Sequence, residues 1–185
     1  MPFFERGNDK LRELANDLLC KFETHKPVLD AKVKIDYVFA FCDRDEETGE
    51  PLNDALTKNG MKCLGLTRKL PPKDRVMGRG DAEVALDGDW WAKANPDEQA
   101  ALLDHELHHI APKLKKGVLQ VDAQGRPQLF LRKHDFEVGW FHIIAARHEA
   151  AVERHQARGL MDGYGQLYWP ELVGPGKVTK LPKSA

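Results

Sequence analysis

The stretch His105-Glu106-Leu107-His108-His109 constrains this chain more than any other. It contains His-Glu-x-x-His, and on a helix residues i and i+4 share a face. His105 and His109 can therefore present both imidazoles to one point. The preceding residues supply the helix. Asn95 can cap it, and Pro96 falls at N1, where its missing N–H costs nothing. Asp97 and Glu98 occupy the first turn, with Glu98 at N3 completing a capping-box pattern. Ala100, Ala101, Leu102, Leu103, Leu107 and Ile110 give it apolar material, and Pro112 ends or kinks it. With 8 His and 13 Glu in 185 residues, random order would yield roughly 0.02 matches to the motif.

Two neutral imidazoles suit Zn²⁺, without excluding iron, cobalt or nickel. Glu106, beside the first histidine, is placed to act as general base on a water while the metal polarises a carbonyl. The competing reading is a helix with surface histidines and a solvated glutamate. His108 is one residue short of the required spacing to His105 and is assigned to packing or solvent.

A catalytic zinc takes three protein ligands and keeps one position open. The metzincin continuation requires Gly at position 112 and His at 115, where this chain has Pro112 and Lys115. The third ligand must come from further on, and the candidates are His134, Glu137, His142 and His148. His134 ranks first, because a short hairpin between two helices can return the chain beside the motif helix. Glu137, one turn on, ranks second. A helix cap is the alternative for His134, and an N3 carboxylate for Glu137. His142 and His148, with His25 and His155, read as packed or solvated residues. Asp104 or Asp135 could hold a ligand histidine's second N–H, and Tyr164 or Arg132 could face an oxyanion. For the two aspartates a plain cap or surface role competes.

The rest of the chain reads as α+β. Asn8 or Asp9 caps an amphipathic helix carrying Leu11, Leu14, Ala15, Leu18, Leu19 and Phe22. After His25-Lys26-Pro27, the alternation Val33, Ile35, Tyr37, Phe39, Phe41 predicts a strand with one buried face. Asp43 to Asn53 is acidic and turn-rich, and reads as an exposed loop. Residues 54–70 are ambiguous, and Lys69 to Asp74 reads as a second loop. Val76-Met77 and Ala82 to Asp87 resemble strands around a turn at Arg79-Gly80-Asp81. Val118 to Asp122 and Gln128 to Arg132 resemble the two arms of a hairpin. Residues 136–157 read as a long buried helix, and Pro170 to Ala185 as a loose Pro/Gly/Lys-rich extension of a single domain over 1–169.

Composition narrows the function classes. A formal net charge of −1 and the lack of an aromatic-basic stripe disfavour a nucleic-acid module. No apolar run approaches the roughly 18 residues that span a bilayer, and Met1 to Arg6 does not read as a signal peptide. Cys20, Cys42 and Cys63 form no Cys-x-x-Cys, which fits a reducing, cytoplasmic setting.

His105-Glu106-Leu107-His108-His109-Ile110, followed after a hairpin by His134-Asp135-Phe136-Glu137, resembles the putative phage metallopeptidase family. The resemblance covers about Val33 to Phe141, including Tyr37-Val38-Phe39-Ala40. It implies that His105, His109 and His134 bind one zinc and that Glu106 is the base. The fold it implies is zincin-like: a small mixed or antiparallel sheet packed with an N-terminal helix, the motif helix and a long C-terminal helix. The expected function is then zinc-dependent hydrolysis of peptide bonds, acting on a protein or peptide of the host cytoplasm. The alternative is a non-catalytic, zinc-stabilised binding protein that sequesters a host component.

Overall fold

In a computed structural model, residues 2–58, 60–134 and 142–148 are described. Strand β1 (Phe3–Arg6) leads into helix α1 (Asp9–Lys21), whose N-cap Asn8 accepts a hydrogen bond from Leu11 N. A 3-10 turn (Glu23–His25) and the short helix α2 (Lys26–Asp30), started by Pro27, return the chain to β2 (Ile35–Phe41). Strands β3 (Thr57–Lys58) and β4 (Met61–Lys62) form a small projecting hairpin before β5 (Gly65–Lys69). Helix α3 (Pro72–Val76), β6 (Ala82–Asp87) and helix α4 (Gly88–Lys93) follow. The motif helix is α5 (Pro96–His109). Beyond it lie β7 (Ile110–Pro112), β8 (Leu114–Lys115), β9 (Val118–Leu119), β10 (Leu129–Leu131) and α6 (His142–Arg147).

The main sheet is mixed, in the order β1-β2-β6-β5. Strands β2 and β6 run parallel, and β1 and β5 are antiparallel neighbours on the two edges. One face packs on α1 and α5 through Leu11, Leu18, Phe39, Val84, Leu86, Leu103 and Leu107. The other face carries Ala40 and Ala85 against Ala55 and Leu56. Both central strands are thus covered on two sides, which explains why all of β6 is buried.

Several local expectations change. The strand from Val33 has two covered faces rather than one, because Val38 and Ala40 pack under the chain leading to β5. Val76 ends a helix instead of starting a strand: Pro71-Pro72 opens a helical turn, with Pro72 at its first position. The motif helix stops at His109, and Pro112 sits in a strand. Leu129–Leu131 pairs with Ile110–Pro112, while Val118–Leu119 pairs with Leu114–Lys115. Two nested hairpins replace the single expected one, whose two arms touch at their turn end, through Gln128 N donating to Gln120 O beside a Val121–Pro127 bridge. The short β1, α2 and α4 were not foreseen; Asp87 caps α4 through Asp89 N and Trp90 N. Of the long helix expected over 136–157, His142–Arg147 is helical and the remainder, like the 170–185 extension, lies outside the described residues.

The arm carrying β8 and β9 is pinned by buried charge. Asp81, at the head of β6, accepts from Lys34 N (2.9 Å) and pairs with Arg75 and Arg126, both at 2.9 Å. Arg75 also reaches Asp122 (3.0 Å), and Arg126 donates to Arg75 O and Arg79 O. The Arg-Gly-Asp triplet is therefore structural: Arg79 pairs with Asp36 and Glu83, and Gly80 N donates to Asp36. Among the described residues no helix is long and apolar enough to cross a membrane.

Removing one member of a buried ion cluster leaves charge without compensation. Asp81→Ala is expected to cost about 3 kcal/mol of stability, read as a lower urea midpoint. A midpoint unchanged from wild type would show that the arm is held some other way.

Candidate metal centre

Helix α5 positions most of the site. Its capping box is complete: Asn95 Oδ1 accepts from Asp97 N and Glu98 N, and Glu98 Oε2 accepts from Asn95 N. Leu103 and Leu107 anchor it in the core, fully buried. That setting turns His105 and His109 toward a cleft of about 490 Å³ bounded by residues 63–67 of the β5 region and by residues 131–134.

The nested hairpins bring His134 to the same place. Its Nε2 lies 3.2 Å from His105 Nε2 and 3.1 Å from His109 Nε2. A tetrahedral ion with metal–nitrogen bonds of 2.0–2.1 Å separates its ligand atoms by about 3.3–3.4 Å. All three potential donor atoms lie within 4.8 Å of one another, so the set can close on a single ion. His109 Nδ1 donates to Arg132 O (2.8 Å), which fixes the tautomer and leaves Nε2 as the lone-pair nitrogen. Burial pushes the His109 pKa down to about 3, helped by neighbouring His105 and His134 and opposed by the bond to Arg132. The ring is neutral at pH 7, the state a metal requires.

Glu106 is 4% exposed. Thr67 Oγ1 donates to its Oε2 (2.7 Å) and lies 3.0 Å from its main-chain oxygen. A Cβ at Gly65 would sit 2.5 Å from Glu106 Oε1, so the glycine leaves the space that the carboxylate occupies. The antiparallel edge strand thus fixes the carboxylate with a hydroxyl at one position and a missing side chain two residues earlier.

Behind the histidines, Asp104 is fully buried. It binds His25 Nε2 (2.6 Å), His148 Nε2 (2.8 Å) and Arg147 Nη1 (3.1 Å). Burial alone would raise this carboxyl's pKa, but the bonds from His148 and His25 and the Arg147 charge hold it well below the usual range. Asp104 therefore ties α5 to the 3-10 turn and to α6. The sequence leaves it between a partner for a ligand histidine and a plain cap or surface residue, and its buried pairing with His25, Arg147 and His148 is neither. His25 and His148, read as incidental, are its partners. Arg132 donates from Nη1 to His108 O at the end of α5 (2.6 Å), and its N donates to His109 O. His108 is half-buried, and burial lowers its pKa to about 4, with Arg132 and His25 adding to the effect. Glu137, Asp135, Tyr164 and His155 lie outside the described residues, as does the His142 side chain.

The family described as putative phage metallopeptidase matches residues 3–169. The chain belongs to that family. No curated protein and no solved structure matches the chain. Membership of a metallopeptidase family and three histidines able to hold an ion point the same way.

The two depressed histidines carry a pH signature. His108 and His109 hold their folded pKa near 4 and 3, below the ordinary value of about 6.5. Below pH 6.5 the unfolded chain binds more protons than the folded one, so stability falls with falling pH. Urea midpoints of metal-stripped protein are expected to be level above pH 7 and to drop progressively from pH 6.5 toward 4. A flat profile across that window would contradict the buried, neutral assignment.

Proposed function

We propose that the protein is a zinc-dependent peptidase whose general base is Glu106. The reading rests on one observation: three histidine Nε2 atoms converge, and a buried carboxylate adjacent in sequence to one of them is clamped in the same cleft. A site that only stapled helices together would have no need of a positioned base. His105, His109 and His134 would hold the ion. Three imidazoles leave a tetrahedral ion one open position, which distinguishes catalytic from structural zinc. Bound there, zinc would supply Lewis acidity, polarising a carbonyl and making water nucleophilic near neutral pH.

The chain's own groups do the rest. Glu106 takes the proton of the attacking water and passes it to the leaving amine. Thr67 keeps the carboxylate turned into the cleft, and Arg132 O keeps His109 in the ligating tautomer. The fold is read as zincin-like: a mixed sheet whose antiparallel edge strand runs beside the motif helix. The family's phage association supports a protein of the host cytoplasm as substrate.

Purified protein is expected to hold about one zinc per chain, lost in a His105→Ala/His109→Ala double variant and weakened in His134→Ala. Glu106→Gln should keep the metal and lose roughly 10²- to 10⁴-fold in peptide cleavage. Metal content by mass spectrometry and protein termini in expressing cells read these out. If Glu106→Gln retains the full biological effect of expression, the protein acts by binding and not by cleavage.

Gly65→Ala isolates the space beneath the base. Its new Cβ forces the Glu106 carboxylate aside. Zinc content should stay at the wild-type level while cleavage falls at least about tenfold, a fraction of the base's whole contribution. Unchanged cleavage would mean that the carboxylate's seat against β5 is not the working one.

A further inference from the structure

We propose that the cleft selects an acidic peptide, one with carboxylate side chains flanking the segment laid across the histidine cluster. The inference rests on the peptidase reading and adds the substrate class. Its basis is a local charge imbalance. The whole chain carries a net charge of −1. The cleft is lined by four cationic side chains, Lys58, Lys62, Arg132 and Lys133, against two carboxylates. Both carboxylates are engaged: Glu98 accepts from Asn95 N, and Glu106 from Thr67. Lys62 lies 3.5 Å from Asp54, and Arg132 is turned to His108 O. Lys58 and Lys133 are exposed and have no ion-pair partner among the described residues. They sit on separate segments, one on the β3–β4 hairpin and one directly before His134.

The same walls favour a peptide over a nucleic acid. Residues 63–67 line the cleft consecutively and include the start of β5, which ends the sheet. An unpaired strand edge offers main-chain N–H and C=O groups to an extended peptide. Single-stranded nucleic acid is gripped by aromatic platforms, and the described lining contains no Phe, Tyr or Trp. Leu64, Leu66, Leu102 and Leu131 supply aliphatic surface between the charges.

The test uses zinc-loaded Glu106→Gln protein and labelled peptides of equal length. These share one apolar centre, with flanks of Asp/Glu or of Lys, and fluorescence anisotropy reads binding. At low salt the acidic peptide should bind roughly tenfold tighter, with the advantage shrinking as salt screens exposed charge. Lys58→Glu combined with Lys133→Glu should reverse the order while zinc content and thermal midpoint stay put. Equal affinity for both peptides, or a preference that survives the double substitution, overturns the proposal. An oligothymidylate that outcompetes the acidic peptide overturns it in favour of a nucleic-acid ligand. Selective binding without cleavage by the Glu106 form would sink the peptidase reading and leave the acidic preference standing.

Discussion

Helix α5 has to bury Asp104, His105, Glu106 and His109 along a single pair of turns, and the neighbouring elements are arranged around that demand. A polar group taken out of water costs free energy unless a partner replaces the water. The four find theirs in three directions. Asp104 faces the 3-10 turn and α6, Glu106 faces the sheet edge, and the two histidines face His134. Leu103 and Leu107 fill the remaining side and lock the helix rotation. Turning the helix by one residue would break every one of these pairings together.

This explains why the site draws on elements far apart in the chain. The edge strand contributes a hydroxyl and a gap, through Thr67 and Gly65. The nested hairpins contribute a histidine nitrogen and, from Arg132, a carbonyl and a guanidinium. Neither segment would reach α5 without its own anchor: antiparallel pairing to β6 for the first, and pairing with β7 for the second. The Asp81 cluster steadies the outer part of the same arm. The Asp104 pairings behind α5 and the β7–β10 pairing beside it hold the three histidines at one end of the cleft.

The capped motif helix, the amphipathic first helix and the strands 35–41 and 82–87 were legible, because each is dictated by contacts a few residues apart. The convergence of His134 on the motif helix was legible as a ranking among candidates. What escaped reading depended on partners far off in sequence. His25 looked incidental because its carboxylate partner lies 79 residues away. Thr67 and Gly65 sat in the ambiguous stretch 54–70, where nothing local distinguishes a strand that seats the Glu106 carboxylate. The hairpin arms were assigned to each other because turn chemistry at residues 123–127 is local, whereas the true partner of Leu129–Leu131 is the strand that continues α5.

The sequence by itself determined that one helix would exist, where it would start, and that two of its histidines would share a face with a glutamate beside them. Capping, spacing and propensity act within a turn or two, so they are written in neighbouring residues. Only the tertiary structure decided which third histidine joins them, which strand seats the glutamate and what neutralises Asp104. Those choices depend on which surfaces meet when the sheet closes on α1 and α5. Desolvation then makes each buried polar group depend on whichever partner the packing delivers.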